Sequence, residues 1–454
     1  MTLTIEQENI INSNSNRIII EALAGTGKTS TLIKFAEKYF HYESLYIVFN
    51  KDMRKTSKGK FPGNTTVHTI NSFSYFYNSE FLKGKNFIQS FNSSLIMKMI
   101  PELARTYKFN YNLAISEANH VLKAYNNLMN SDLDLSSFNG DKYHNMAKDF
   151  YFNLIKSPVI DHLGLLKYFN DNFDFTSLSF DLVMIDEAQD LNPIMISILE
   201  KINPKKIVMV GDSNQAIYSF RASVNIFEID QFKDYSKFKL TKSFRFGQAI
   251  SDKVNEVYQN LFGRDLELKF NENITSEIVT KTIIGPYTAY ITRTNAVLFD
   301  KALDYALMDL KVAIPFNWEE LKQLIEDMYF FKLGLNDEVK SKLILQYGDF
   351  NNLKTLNKEG NDIELSYLIK IIEKHDILIL DYLTILERQL SSPKYADITF
   401  LTAHKSKGLE FLGVELGSDF SLKSIEERNI IYVSMTRAIK NLNIKNLNFN
   451  KNIR

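Results

Sequence analysis

Short apolar runs alternate with stretches of helical spacing along this chain. Arg17–Leu23 (RIIIEAL) is rich in isoleucine, AGTGKT follows, and TSTLIKFAEKYF continues at helical spacing. That order predicts a strand, a loop and a helix. Ser44–Phe49, Phe180–Ile185 (FDLVMI), Lys206–Val210 (KIVMV) and Phe238–Leu240 read as further strands. Short β-branched strands alternating with helices predict a parallel sheet covered on both faces. From Phe76 to Thr176 the pattern changes: Tyr, Asn, Lys and Leu recur at helical spacing and no strand stands out. A second α/β set follows at Tyr287–Thr292, Ile398–Thr402, Gly413–Leu416 and Leu442–Ile444, interrupted by a mostly helical stretch at Ala302–Lys394. There is no repeat of fixed period.

Composition narrows the chemistry. The 454 residues are 45% hydrophobic and 24% charged, which fits a soluble chain of two to four compact units. There is no cysteine, so disulfides, thiolate zinc sites and cysteine-held iron–sulfur clusters are excluded. The formal net charge is zero. Binding to nucleic acid must therefore rest on local basic or aromatic surfaces rather than on an overall field. MTLTIEQENI lacks a basic-then-apolar leader, and no apolar run reaches the ~18–20 residues of a membrane span. The expectation is an intracellular, cytoplasmic protein without membrane partners.

Ala24-Gly25-Thr26-Gly27-Lys28-Thr29 lies between a predicted strand and helix, the context of a phosphate-binding loop. Glycines there let backbone N–H groups close on phosphate oxygens, and the helix N-terminus adds partial positive charge. Lys28 would reach the β- and γ-phosphates and the Thr29 hydroxyl would bind Mg²⁺. The strict pattern has glycine where Ala22 stands. Asp186-Glu187 ends the run LVMI. Alone, two acids there also suit a helix N-terminus. With a phosphate loop upstream, Asp186 suits Mg²⁺ and Glu187 suits activation of a water. ATP and Mg²⁺ are the expected cofactors.

The order of motifs resembles superfamily 1 helicases of the UvrD/Rep type. Asp186–Asp190 (DEAQD) is similar to their Walker B box, and Gly211–Arg221 (GDSNQAIYSFR) to motif III. Ser243-Phe244-Arg245 is similar to motif IV, Thr402–Phe411 (TAHKSKGLEF) to motif V, and Tyr432–Ala438 (YVSMTRA) to motif VI. Leu3–Gln7 resembles the adenine-reading Q motif. The stretch Phe49-Asn50-Lys51, then Phe61-Pro62 and Thr66-Val67-His68-Thr69, is especially similar to the helicase portion of F-box DNA helicases.

The resemblance implies two RecA-like parallel-sheet domains, each with a mostly helical insertion. The first domain takes residues 1–75 and 177–240, with 76–176 inserted. The second takes 241–301 and 395–454, with 302–394 inserted. It implies that Gln7 contacts adenine, Phe244 stacks on the base, Gln215 senses the γ-phosphate, and Glu410 lies near the nucleotide or on the second-lobe face. Arg245 and Arg437 would act as arginine fingers. Thr66, His68, His404, Arg293 and Asn295 match positions near DNA, and Tyr218 and Phe220 match base-stacking positions. The basic run Lys51, Arg54, Lys55, Lys58, Lys60 either follows a phosphate backbone or is a solvated face.

The implied activity is ATP-driven 3′-to-5′ movement on single-stranded DNA with strand separation at single-strand/duplex junctions. The expected protein is a monomer, with a recombinase or single-strand-binding protein as partner. Rival readings are a translocase that displaces bound proteins with little unwinding, an ATP-switch remodelling protein, and RNA as the track. Both insertions are shorter than in large bacterial relatives, so deleting 302–394 is expected to leave unwinding nearly unchanged.

Overall fold

The computed structural model describes residues 3–218, 222–345, 347–360 and 362–447. The chain divides into two compact units, Met1–Leu23 with Gly27–Leu240, and Ala24–Thr26 with Thr241–Arg454.

The first unit carries β1 (Arg17–Ala22), β2 (Ser44–Val48), β3 (Thr65–Thr69), β4 (Asn86–Ile88), β5 (Val159–Asp161), β6 (Leu182–Ile185), β7 (Lys206–Gly211) and β8 (Ser236–Leu240). Six of these form a parallel sheet in the order β3-β2-β6-β7-β1-β8. Side chains alternate across a strand, and here both faces are covered. Ile19, Ile47, Val183 and Met209 pack against helices Ile70–Tyr77, His162–Asn172 and Pro193–Ile202. Their neighbours Ile18, Tyr46, Met184 and Val208 pack against helices Ile5–Ile11 and Lys28–Lys38. Burial on both faces is why these strands read as unbroken apolar runs.

β3 was not expected. Its sequence, TTVHT, is polar because it is an edge strand, with burial only at its last two positions. The stretch 76–176 also departs from the reading of helices alone. β4 and β5 pair in parallel, Asn86 opposite Val159 and Ile88 opposite Asp161. At three residues each they are too short to leave a period-two signature. Between them, helices Ser93–Met99, Pro101–Phe109, Tyr111–Met129 and Lys142–Lys156 build a core of their own around Ile96, Leu103, Val121, Tyr125 and Phe150. None of the six sheet strands contributes to it.

This inserted core meets the sheet-bearing part through Leu163 of helix His162–Asn172, which packs against it, and through polar contacts. Asn192 Nδ2 donates to Asn130 Oδ1 at 2.6 Å, and the Ile194 amide to the Asn130 carbonyl at 3.2 Å. The buried Lys167 donates to the Leu133 carbonyl at 2.6 Å. Tyr125 Oη donates to Asp161 Oδ1 at 2.6 Å, and the same carboxylate caps helix His162–Asn172.

The second unit carries β9 (Glu277–Ile278), β10 (Thr288–Thr292), β11 (Val312–Ala313), β12 (Ile398–Thr402), β13 (Phe411–Leu416) and β14 (Ala438–Asn443), in the order β11-β12-β10-β13-β14-β9 and parallel throughout. β14 begins four residues before the expected Leu442. β9 and β11, two residues each, were not expected, and β11 lies within the stretch read as helical. Tyr290, Ile398 and Phe400 of the sheet form one continuous core with Phe299, Ile325, Met328, Ile372 and Leu383. Those five come from helices Asn295–Ala306, Trp318–Lys332, Ile363–His375 and Ile379–Gln389. Among the described residues no helix is long and apolar enough to cross a membrane.

Candidate nucleotide and nucleic-acid sites

In a parallel sheet the carboxyl ends of the strands share one edge, where α/β proteins place their ligands. β1, β6 and β7 are central and end in the candidate chemistry. β1 runs into the glycine loop, where Gly25 has φ 74° and Gly27 φ 81°. Side chains rarely adopt that left-handed backbone, so glycine is needed for the turn. Helix Lys28–Lys38 starts at Gly27 with no side chain capping it, which leaves its N-terminus aimed into the loop, the arrangement that suits a phosphate.

β6 delivers Asp186 and Glu187. Asp186 is buried, and its Oδ2 accepts from Thr29 Oγ1 and from Tyr46 Oη, both at 2.8 Å. Burial, then the adjacent Glu187, push its carboxyl above the usual carboxylate range, while Lys28, Thr29 and Tyr46 act in the opposite direction. Burial and the same carboxylate raise the Tyr46 phenol well above its ordinary value. Two neighbouring acids in a poorly solvated place favour added positive charge. A hydroxyl and a carboxylate 2.8 Å apart are hard oxygen donors, too few for a complete protein cage. They suit Mg²⁺, which commonly takes one or two protein oxygens together with phosphate oxygens. Lys28 Nζ lies 3.6 Å from Glu187 Oε1.

Glu187 itself has φ 54°, a left-handed backbone for a residue with a side chain. Its amide donates to Asp186 Oδ1 at 2.9 Å. Gln189 then ties two strand ends together: its Nε2 donates to Glu187 Oε2 at 2.6 Å, and its Oε1 accepts the Asp212 amide after β7 at 2.9 Å. Asp212 Oδ2 in turn accepts Gln215 Nε2 at 2.7 Å. Thus Lys28, Thr29, Asp186, Glu187 and Gln215 form one hydrogen-bonded and ion-paired set. Tyr46 and Gln189 belong to it and were not singled out from sequence. Tyr46 reads as an ordinary residue of a buried strand; Gln189 sits inside DEAQD, but its bridging role depends on where β7 ends.

Gln7 is buried beside the loop helix. Its Oε1 accepts the Thr4 amide and its Nε2 donates to Thr31 Oγ1, both at 3.0 Å. Thr31 Oγ1 donates to the Gly27 carbonyl at 3.0 Å. Gln7 is thereby coupled to the start of the phosphate loop helix.

The second unit holds the two arginines near each other. Arg245 donates through Nε and Nη2 to Glu410 Oε1 at 2.9 and 2.7 Å, and through Nη1 to the Thr436 carbonyl at 2.6 Å. Arg437 is 2% exposed; it donates to the Val433 carbonyl at 2.8 Å and to Thr436 Oγ1 at 3.1 Å. Phe244 is half-buried, its carbonyl accepting from Asn271 Nδ2 at 3.1 Å.

Of the nucleic-acid candidates, Thr66 is exposed on edge strand β3. His68 is buried, its Nδ1 3.2 Å from Ser72 Oγ. Burial, then Arg54, lower its pKa to about 4, so it is neutral at physiological pH. Tyr218 is half-buried and stacks on Phe49 with ring centres 5.2 Å apart and planes at 19°. Phe49 was quoted as part of a motif but not singled out for stacking. Phe220 lies outside the described residues. Arg293 grips Glu427 with Nε and Nη2 at 2.8–3.1 Å, and the Asn295 amide donates to Glu364. His404 is half-buried on the short helix Ala403–Ser406.

Comparison with known proteins identifies the family. The UvrD/REP helicase N-terminal domain model matches residues 3–237, just over half of the chain, and the UvrD-like helicase C-terminal domain model matches 317–448. F-box DNA helicase protein 1 of Schizosaccharomyces pombe is 26% identical over 97% of this chain and 57% of its own length. F-box DNA helicase 1 of Gallus gallus is 25% identical over 96% and 48%. A putative ATP-dependent DNA helicase of Bacillus subtilis is 25% identical over 71% and 57%. The chain spans about half the length of the curated relatives it matches. With both family models matched and two parallel α/β sheets of the RecA-like kind, this chain belongs to the UvrD/Rep family of helicases.

Proposed function

We propose that this chain is an ATP-dependent DNA helicase or translocase that moves on single-stranded DNA and separates strands at junctions. The observation that carries this reading is the connected set of Lys28, Thr29, Asp186, Glu187 and Gln215 at the carboxyl edge of one sheet, above all the 2.8 Å contact between Thr29 Oγ1 and Asp186 Oδ2. Backbone amides of the glycine loop and Lys28 bind the phosphates of ATP. Thr29 and Asp186 hold the cation. Bound Mg²⁺ supplies positive charge that stabilises the oxygens of the transferring phosphoryl group.

A phosphate oxygen competes with Glu187 for Lys28, and Glu187 is then released to take a proton from the attacking water. Gln189 keeps that carboxylate oriented. Gln215 reports the γ-phosphate to motif III, beside Tyr218 and Phe49. Gln7 and Phe244 hold adenine. Arg245 and Arg437 leave their present oxygen acceptors to neutralise developing charge, and Glu410 takes part through Arg245. Binding of ATP, and its loss on hydrolysis, drives alternate grips on the strand. Thr66, His68, Tyr218, Phe220, Arg293 and His404 line the track. In this reading the chain travels 3′-to-5′, acts as a monomer, and works with a recombinase or single-strand-binding protein.

Steady-state ATPase measured with and without single-stranded DNA tests the reading. Wild type is expected to be strongly stimulated, and Lys28→Ala to lose at least about 100-fold of the stimulated rate. Turnover indifferent to DNA, or equal stimulation by single-stranded RNA, would sink the DNA-motor reading. A tailed-duplex assay beside a protein-displacement assay decides between unwinding and stripping.

A further inference from the structure

We propose that the exposed rings of Tyr75 and Phe76, propped by His68 and Phe87 and flanked by Lys51 and Lys58, form a base-stacking platform for single-stranded DNA beyond the motif residues. This rests on the proposed movement on DNA and extends the track across the first unit.

Tyr75 is 51% and Phe76 61% exposed on helix Ile70–Tyr77, whose Ile70 and Phe73 are in the sheet core. Two large consecutive rings on the outward side of a core helix contribute little to folding. They are also held in place. Phe76 lies against His68 with centres 5.9 Å apart. Tyr75 meets Phe87 edge to face at 5.6 Å and 86°, and Phe87 meets His162 in the same way at 4.4 Å. A ring whose position is fixed by its neighbours loses little freedom when a base stacks on it.

Cations border the same surface. After burial, the influences that depress the His68 imidazole include Arg54 and Lys58, and the one that depresses His162 is Lys51. Helix Lys51–Ser57 packs beside β3, with Arg54 Nε donating to the Val67 carbonyl at 3.1 Å, which sets Lys51 and Lys58 at the two ends of a helix bordering the strand of His68. Lys51 and Lys58 are exposed, and neither pairs with a carboxylate among the described residues. A π-face beside an unpaired ammonium meets both needs of a single strand, stacking for the base and charge for its phosphate. A duplex hides its base faces, which is why the occupant is the single strand. Thr66, exposed on the adjacent β3, leads from the motif contacts to this platform.

The test is fluorescence anisotropy with a labelled oligothymidine, and an oligonucleotide bearing 2-aminopurine as a stacking probe. The proteins are full-length wild type, Phe76→Leu, Phe76→Trp and Tyr75→Ala, each checked by thermal melting. Phe76→Leu is expected to raise Kd about 5- to 150-fold, the equivalent of ~1–3 kcal/mol of stacking. It should also abolish part of the 2-aminopurine quenching, while Phe76→Trp retains both. Lys51→Ala with Lys58→Ala should reduce the slope of log K against log salt by about 1.4. If wild type binds the oligonucleotide and Phe76→Leu and Tyr75→Ala bind it as tightly, the platform is overturned and the proposed function stands. If wild type binds no single strand, both fall.

Discussion

The two helical insertions arise from similar sequence patterns and are held in opposite ways. The helices between 93 and 156 close a core around Leu103 and Phe150 that takes nothing from the six-stranded sheet. They meet the rest of the first unit through Leu163 and the polar groups of Asn130, Lys167 and Asp161. The helices between 318 and 389 have no such separation, because Ile325, Met328, Ile372 and Leu383 share one core with Tyr290, Ile398 and Phe400 of the second sheet. A region with its own core can open as a cooperative unit, whereas one that completes another element's core stands or falls with it. Insertion in the sequence therefore does not mean modularity in the fold.

Deletion should show the contrast at its largest. β4 and β5 pair in parallel, so a shortened connection must return from Ile88 to the start of β5 beside Asn86, and a linker of about a dozen residues is needed to span it. Replacing residues 91–156 in this way should leave a soluble protein with a cooperative melt and ATP turnover. Replacing 318–389 should leave an aggregated chain, since it bares Tyr290, Ile398 and Phe400. This revises the expectation that deleting 302–394 leaves unwinding nearly unchanged: that cut also removes β11. A folded, active product from the second deletion would break the comparison.

Single truncations should sharpen it. Phe400→Ala should cost about 3–5 kcal/mol in denaturant unfolding, and Leu103→Ala about 2–5 kcal/mol. Hydrogen exchange separates them. Phe400→Ala should speed exchange in β10, β12 and helices Trp318–Lys332 and Ile363–His375 together. Leu103→Ala should do so only between 93 and 156, with β1 and β6 still protected. Exchange spreading into the first sheet would show that the inserted core is not independent.

The smallest effect belongs to the polar joint. Asn130→Ala removes the acceptor of Asn192 Nδ2 and should cost about 1–3 kcal/mol. Faster exchange is expected at the Ile194 amide, with the Leu103 core unaltered. Loss of that core instead would mean that Asn130 supports the insertion itself and not its attachment.

What the sequence displays depends on what each residue faces. RIIIEAL and LVMI announce strands because both their faces are buried. TTVHT does not, because an edge strand has one neighbour and keeps polar positions. Gly25, Gly27, Lys28, Asp186 and Glu187 stand out in the sequence because phosphate chemistry calls for those types at that spacing. Tyr46 and Gln189 could not, since a buried tyrosine and an amide become site residues only once β2, β6 and β7 lie side by side. Helical spacing showed that 318–332 has an apolar face, but spacing cannot name the surface against which that face closes.

Glu187 holds a backbone conformation that its own side chain disfavours. Its left-handed backbone, φ 54°, disfavours a residue with a β-carbon by about 1–2 kcal/mol and is open to glycine. Glu187→Gly relieves that strain but gives up the carboxylate's contacts with Gln189 and Lys28, so it should melt later than Glu187→Ala, which loses the same contacts and keeps the strain. At this position the backbone and the side-chain contacts favour different residues.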